Sequence, residues 1–365
     1  LDDNNADVLK GLAWICAGQE EPALARGLTS LALAAYRKVP GVGPRCPRLG
    51  TACIFALGEM PGMEGLAQLA ILKVRLRFIP AQKAIASAFE KAARRQNLPA
   101  EEIEELSVPT YGLEEVGLGR EELSGFTALL KVDGSDTSLS WLRPDGKPQA
   151  GIPAVVRQEH AEELKELKET VKEMERMLTA QRSRLDSLFL DQRSWRMGDW
   201  RARYLDHPLV GTLARRLIWK FSSGDRAASG VWDGQRLVGW EGQALDWLEA
   251  ETKVELWHPL SVETEMVLAW RKRLEALGIT QPFKQAHREV YLLTDAERTT
   301  GVYSNRFAAH ILRQHQFNAL CSERNWKNQL RLMVDDVCPP AHHLLPRWGL
   351  RAEFWIEGVG SDYGT

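Results

Sequence analysis

The stretch between Pro153 and Leu190 contains neither glycine nor proline, and it limits what this chain can fold into more than any other feature. Within it, Gln181 fills the one gap in a series of apolar residues spaced alternately by three and four: Leu164, Leu167, Val171, Met174, Leu178, Leu185 and Leu188. This heptad-like seam predicts a helix of about 55 Å over residues 154–190. The helix either lies across its own domain or forms an intermolecular coiled coil, and about four heptads favour the first arrangement.

The segment before this helix begins with short helical units separated by glycine or proline. Five such units are predicted, at residues 6–18, 22–39, 48–60, 63–76 and 81–98. Alanine, leucine and glycine dominate their apolar faces, which allows close packing of helix pairs. We therefore predict a HEAT-like helical repeat domain over residues 1–108, with an ordinary helical bundle as the alternative.

A Glu-rich segment with several glycines and prolines, residues 98–123, marks the predicted end of the repeat domain. Beyond it, residues 109–365 are predicted to form an α+β domain that contains the long helix. Hairpins are expected at residues 126–143 and around Asp233-Gly234, and further strands at 253–259, 288–294 and 350–359. Helices are expected at 206–221, 261–278 and 304–325.

The composition excludes several classes of protein. The chain has 47 basic and 49 acidic side chains, so no global field attracts nucleic acid or an anionic membrane. Its apolar runs are far shorter than the roughly 20 residues of a spanning helix. Five cysteines without a CxxC spacing favour free thiols in the cytoplasm. The chain begins without methionine and is interpreted as a possible piece of a longer protein.

Known catalytic and ligand-binding signatures are missing from the sequence. It has no GxxxxGK[ST], HExxH, GxSxG or EF-hand pattern. Cys321, Cys338, His342 and His343 are residue types that bind zinc, but their spacing matches no known ligand frame, and a loop-packing role is favoured. His310 and His315 are five apart on one predicted helix, about 140° from each other, so they cannot share a ligand. No metal and no cofactor are predicted.

The stretch "ITQPFKQAHREVY", residues 279–291, concentrates polar side chains around one Pro-Phe. The group consists of Gln281, Lys284, Gln285, His287, Arg288, Glu289 and Tyr291. Its place between a predicted helix and a predicted strand favours a buried polar joint, in which Glu289 holds Arg288. The alternative is a cleft for a small polar or nucleotide-derived ligand, with His287 as the proton-transfer group and Arg288 as the anion clamp.

A second candidate site interleaves arginine with aromatic residues between residues 182 and 220. The candidate nucleic-acid contacts are Arg193, Trp195, Arg196, Trp200, Arg201 and Arg203. Arginine and aromatic rings together track a phosphate backbone and stack bases. The same residues can instead pack within the domain or pair with the acidic 101–122 segment. Twelve of the thirteen tryptophans stand at or after residue 141, which indicates a second half with a densely packed core.

Five ordered motifs resemble one known family. "SVPTYGLEEVG", "DHPLVGTLARRLIW", "LWHP", "ITQPFKQAHREVY" and "GVYSNRFAAHILRQHQFNALC" are similar to the MolR-like family, a bacterial domain of unknown function associated with WGR domains and helical repeats. The resemblance implies a cytoplasmic bacterial protein, often encoded near MoxR-type ATPases and von Willebrand A domain proteins, and it brings no catalytic residues. The sequence lacks the WGR domain and a helix-turn-helix motif.

The function predicted from these features is a protein-interaction or regulatory scaffold, with a MoxR-type ATPase or a von Willebrand A domain protein as the expected partner. Two alternatives stay open: ligand binding or catalysis around residues 281–291, and nucleic-acid binding through the Arg/Trp segment at 182–220.

Overall fold

A computed structural model describes residues 3–306, 308–330 and 338–358 of the chain. The fold divides into two compact units, Leu1–Arg288 and Glu289–Thr365. The first unit contains helices and three antiparallel sheets, one of them a two-stranded hairpin, and the described residues of the second form two short α-helices, one 3₁₀ turn and a β-hairpin. The predicted α+β class is therefore confirmed. The predicted domain boundary near residue 108 stays a prediction.

Helices fill the first part of the larger unit. They are α1 (Asp3–Cys16), α2 (Pro22–Tyr36), α3 (Pro47–Glu59), α4 (Glu64–Arg75), α5 (Ile79–Gln96) and α6 (Ala100–Leu106). The short strands β1 (Lys38–Val39) and β2 (Gly43–Pro44) form a hairpin between α2 and α3. The five predicted helical units are all present. Proline in the first turn of α2, α3 and α5 fits the backbone there, because those N–H groups have no intrahelical acceptor.

The long helix is present but interrupted near its start. Residues Ala154–Glu159 form α7, His160 has non-helical backbone angles, and α8 runs from Ala161 to Asp191. Seven of the eight seam positions are buried, and Val171 is half-buried against the same core. The seam therefore packs inside its own unit and is not free to form a coiled coil with another chain.

Two antiparallel sheets complete the larger unit. The first is a meander of β3 (Leu118–Leu123), β4 (Phe126–Asp133), β5 (Asp136–Leu142) and β6 (Pro148–Gln149). The second has the order β10-β9-β8-β11-β7, and its strands are β7 (Ser194–Arg196), β8 (Trp219–Ser223), β9 (Arg226–Trp232), β10 (Leu237–Val238) and β11 (Lys253–Leu256). Both predicted hairpins and the strand near residue 253 are confirmed.

The helix predicted over 206–221 is mostly wrong. A π-helical turn occupies Arg201–Leu205, and α9 (Met197–Trp200) precedes it, but regular helix in the predicted range is limited to α10 (Gly211–Ala214). His207 accepts hydrogen bonds at Nδ1 from the backbone N–H groups of Leu209 and Val210. Its other nitrogen, Nε2, donates to the carbonyl of Val108. The imidazole thus accepts from two backbone N–H groups that lie just before α10 and have no intrahelical acceptor.

Two further predictions need correction, and two others hold. Helix α11 spans Thr264–Ala276, close to its predicted range. Residues 288–294 form no strand, and the helix predicted over 304–325 is reduced to α13 (Gln314–Glu323), which follows α12 (Asp295–Thr300). His310 therefore lies outside the helix that contains His315. The predicted C-terminal strand exists as β13 (Leu350–Phe354), paired with β12 (Ala341–Leu345).

The core of the larger unit is continuous from the helices to the second sheet. One cluster of buried side chains includes Leu57, Leu69 and Phe89 from the helices and Trp200 and Trp219 from the tryptophan-rich half. The rings of Trp200 and Trp219 meet edge to face with centroids 5.2 Å apart. These buried indoles confirm the packed core that the tryptophan distribution predicts.

Candidate anion-binding cleft

Two glutamines of the predicted polar joint, Gln281 and Gln285, lie where the structure needs hydrogen-bond partners. Gln285 is fully buried, and its Oε1 accepts from the N–H of Ile218 at 2.8 Å and from Nε2 of Gln281 at 2.7 Å. Its Nε2 donates to the carbonyls of Ile218 and Trp257 at 2.8 and 2.9 Å. The side-chain amide thus bonds both backbone groups of Ile218, as a neighbouring strand would. This geometry favours the structural interpretation.

Arg288 belongs to the same corner. Its guanidinium pairs with Asp186 on α8 and lies over the ring of Phe189, 4.3 Å from the centroid. His287 is exposed. The partner identified for Arg288 is therefore on the long helix, a contact that no local sequence pattern indicated.

The remaining members of the predicted cluster are exposed. Lys284, Glu289 and Tyr291 are all solvent-accessible, and the boundary between the two units falls between Arg288 and Glu289. Within the second unit, the Tyr291 ring lies 5.0 Å from the guanidinium carbon of Arg306. The interpretation of these seven residues as one cleft stays a prediction.

The predicted nucleic-acid contacts are largely internal. Trp200 is completely buried and Trp195 is 6% exposed, so neither ring is open to a base. Arg193 and Arg203 pair with the buried carboxylate of Glu105 at 2.7 and 3.3 Å. Glu105 lies in the acidic segment, so the structure realises the internal pairing that the sequence left as the alternative.

The other two arginines of that set lie at the surface. Arg196 pairs with Glu251 at 3.4 Å, and Arg201 pairs with Asp206 at 2.8 Å. Exposed pairs of this kind contribute at most about 1 kcal/mol. The Arg/Trp segment as a whole does not form a continuous basic face with open rings.

Glu105 is the centre of a buried charge network. Its carboxylate also accepts from the Tyr204 hydroxyl at 2.6 Å and from the Trp195 indole at 3.1 Å, and Arg184 lies 3.5 Å away. Burial raises the pKa of Tyr204, so the hydroxyl stays protonated and donates to Glu105. The arginines here form internal ion pairs with Glu105 and stabilise the fold.

A polar trio joins the tip of the β3–β4 hairpin to the first turn of α8. The Ser124 hydroxyl lies 2.8 Å from His160 Nε2, and His160 Nδ1 lies 3.3 Å from Glu163. Serine hydrolases use the same order of groups. Here, however, both Ser124 and Glu163 are solvent-exposed, and the trio fastens the hairpin to the helix.

A basic cleft lies elsewhere, at the C-terminal ends of α2 and α4. It is an open cleft with a volume of about 1090 Å³, slightly more than the roughly 300 to 1,000 Å³ usual for ligand sites. Five cations line it: Arg37, Lys38, Arg75, Arg77 and Arg176. The apolar part of the wall comes from Leu33, Ala34, Tyr36, Val74, Leu76 and Phe78, and Gly43 and Pro44 of the β1–β2 hairpin complete it.

Local packing fixes the aromatic part of this wall. The rings of Tyr36 and Phe78 lie 5.7 Å apart, and the Tyr36 hydroxyl bonds the Thr51 hydroxyl at 2.9 Å. Gly50 permits this position, because a Cβ atom there would come within 2.3 Å of the Tyr36 ring. Gln82 donates to the carbonyl of Lys73 and so holds the end of α4 next to the cleft.

The charges of the cleft are only partly compensated. Arg75 pairs with Glu173 of α8. Among the described residues, no carboxylate lies within ion-pair distance of the other four cations. Burial raises the pKa of Glu173, and the guanidinium of Arg75 opposes that rise. In a chain with a formal charge of −2, this cleft is a local concentration of positive charge.

Sequence reasoning did not identify the cleft, although a signal for it exists. "YRKV" at 36–39 and "VRLRF" at 74–78 each place cations directly after the apolar face of a helix. Nothing in the sequence shows that these two helix ends adjoin, or that Arg176 of the long helix lies beside them.

A family model is similar to part of the chain. Residues 146–326 match the family model described as Domain of unknown function (DUF4132). Of the cleft cations, only Arg176 lies inside that range. The match agrees with a domain of unknown function, and the narrower MolR-like and WGR-associated assignment stays a prediction.

One curated relative has a detectable sequence similarity. The chain is 23% identical over 253 residues to "Uncharacterized protein YehI" of Escherichia coli (strain K12), and the alignment covers 64% of this chain and 20% of that protein. The chain thus spans about a fifth of the length of that relative. No solved structure matches the chain.

Residues 3–306, 308–330 and 338–358 contain neither a cluster of metal ligands nor a helix suited to crossing a membrane. Within these ranges, no three histidine, cysteine, aspartate or glutamate side chains come together in a way that could hold a metal ion. His343 stacks on Trp326 and bonds the carbonyl of Asn325. None of the helices seen in this part of the chain has both the length and the apolar character that a membrane crossing needs.

Proposed function

We propose that this chain is a binding module whose basic cleft receives an anionic partner. The observation that carries the proposal is the convergence of Arg37, Lys38, Arg77 and Arg176 on one cleft, with no carboxylate within ion-pair distance of them among the described residues. Like charges held close together repel one another, so a cleft of this kind gains free energy when an anion enters it. Arginine also offers the paired N–H donors that bind phosphate or carboxylate oxygens bidentately.

Charge reversal tests this role. The double variant Arg37→Glu/Arg77→Glu is compared with the parent in titrations with polyphosphate at low salt. We expect affinity to fall at least about tenfold, because two direct contacts to the anion are replaced by repulsion.

The matched control is Arg182→Glu/Arg196→Glu, which changes the net charge equally at two exposed positions outside the cleft. Equal losses of polyphosphate affinity in both double variants would show that the effect comes from net charge alone. They would contradict the cleft proposal. A larger loss in the control would favour the Arg/Trp segment instead.

The scaffold role predicted from the sequence is part of the same proposal. Pairs of short helices such as α2 with α3 present surfaces to partners, and a HEAT-like arrangement of them stays our interpretation. A MoxR-type ATPase or a von Willebrand A domain protein in the cytoplasm is the partner that the MolR-like resemblance suggests. Mass spectrometry after mild purification from a native host tests this: recovery of such a partner supports the scaffold role, and recovery of no partner at several salt concentrations contradicts it.

A further inference from the structure

The cleft combines its cations with an apolar wall that one anionic group would not use. Leu33, Val74 and Leu76 line it beside the half-buried ring of Phe78. The cavity of about 1090 Å³ far exceeds a single phosphate or carboxylate. A ligand that fills the cleft must therefore carry several negative charges and also planar or apolar groups.

Single-stranded nucleic acid has this chemistry. Proteins bind it with a positive groove that follows the backbone and with aromatic side chains on which bases stack. Four of the five cations in the cleft are arginines, whose planar guanidinium groups match phosphate geometry. Resting on the proposed function, we infer that the cleft binds single-stranded nucleic acid, with phosphates on the cations and a base against Phe78.

The buried network shows how this chain holds a carboxylate, and the cleft differs from it. Glu105 receives neutral donors, the Tyr204 hydroxyl and the Trp195 indole, beside the arginines. In the cleft the Tyr36 hydroxyl is already bonded to Thr51. The cleft thus offers guanidinium groups and an aromatic face, which suit a nucleotide strand better than an acidic peptide.

A duplex is disfavoured for a separate reason. Its base faces are stacked inside the helix, so Phe78 has no base to contact. A preference for single-stranded nucleic acid over a duplex therefore distinguishes base stacking from simple charge attraction.

Fluorescence anisotropy with a short labelled oligothymidylate tests the inference. Binding should weaken with salt, with a slope of log affinity against log salt of about −3, from four cations that each release about 0.7 counterion. Duplex DNA, polyphosphate and polyglutamate at matched charge should compete less well than the unlabelled single strand.

Phe78→Leu separates the stacking from the charge. We expect this variant to lose roughly tenfold in affinity for the oligonucleotide while its salt slope and its polyphosphate affinity stay unchanged. Phe55→Leu, at an exposed phenylalanine outside the cleft, is the matched control and should bind like the parent. Circular dichroism checks that both variants are folded.

Each of the other outcomes contradicts a specific part of the inference or of the proposed function. Equal binding of polyphosphate and oligonucleotide, with no effect of Phe78→Leu, removes the nucleic-acid inference and leaves the anion cleft in place. Tighter binding of polyglutamate also overturns the inference and identifies an acidic protein segment as the ligand. If none of the polyanions binds, the proposed function itself is wrong.

Discussion

The buried network around Glu105 and the basic cleft are both built from arginine, but they use it in opposite ways. In the network, Arg184, Arg193 and Arg203 surround one carboxylate that is 1% exposed. In the cleft, Arg37, Arg77 and Arg176 face solvent without a carboxylate partner in the described part of the chain. The same side chain stabilises the fold in one place and is available for binding in the other.

The difference lies in which elements meet. Helix α6 carries Glu105 to the segment that follows α8, so the arginines there are neutralised during folding. At the cleft, the ends of α2 and α4 bring cations together, and α8 contributes Glu173 to Arg75 and a further cation, Arg176. Local charge density in a sequence therefore does not separate structural arginines from binding ones.

Removing Glu105 is expected to have the largest effect on stability. Glu105→Ala leaves three partly buried guanidinium groups without their shared carboxylate, and the free energy of unfolding should fall by about 3 to 5 kcal/mol. Urea unfolding followed by tryptophan fluorescence measures it.

The control for that variant is Glu101→Ala, an exposed glutamate of the same helix, which should change stability by no more than about 0.5 kcal/mol. If Glu105→Ala changed the free energy of unfolding no more than its control, the network would not stabilise the fold. The proposed difference between the network and the cleft would then be wrong.

Substitution of Gln285 tests whether a buried polar group without a charge stabilises the fold when all its hydrogen bonds are made. Gln285→Ala leaves the N–H and carbonyl of Ile218 and the carbonyl of Trp257 without these partners. We expect a loss of about 2 to 3 kcal/mol in unfolding free energy, measured by urea titration.

His287→Ala, two residues away and exposed, serves as the comparison and should melt like the parent. A stable Gln285→Ala protein would refute the joint and reopen the residues around 281–288 as a cleft.

The smallest expected effect concerns Arg75, the cleft cation that forms an ion pair with Glu173. Because burial raises the pKa of Glu173, acidification protonates this carboxyl before ordinary exposed glutamates and removes the counter-charge of Arg75. Anion affinity should therefore rise as pH falls. The other charged groups that act on Glu173 are Arg176 and Glu169 of its own helix.

Glu173→Gln isolates this contribution. At neutral pH the variant should bind polyphosphate a few-fold more tightly, a gain of about 1 kcal/mol or less. Its affinity should also respond less to pH than that of the parent. An identical pH response in both proteins would show that Glu173 does not set the charge of the cleft.

Local sequence pattern was sufficient to predict the elements that are defined by residues close together in the sequence. The seam predicted the C-terminal end and the buried face of α8, and Asp233-Gly234 predicted the β9–β10 hairpin, because spacing and turn residues act between near neighbours in sequence. The same reasoning failed at residues 206–221, where His207 bonds the distant carbonyl of Val108 and Trp219 lies in a strand that pairs with β11. Periodicity cannot register such long-range partners.

The sequence by itself therefore determined the α+β class, the early helices, the long helix and the packing role of the tryptophans. Only the tertiary structure decided which polar residues are neutralised and which face a cleft. Glu105 is 98 residues from Arg203, and Arg75 is 98 residues from Glu173. Pairing over such separations depends on how the helices and sheets pack, and no local spacing of charges encodes it.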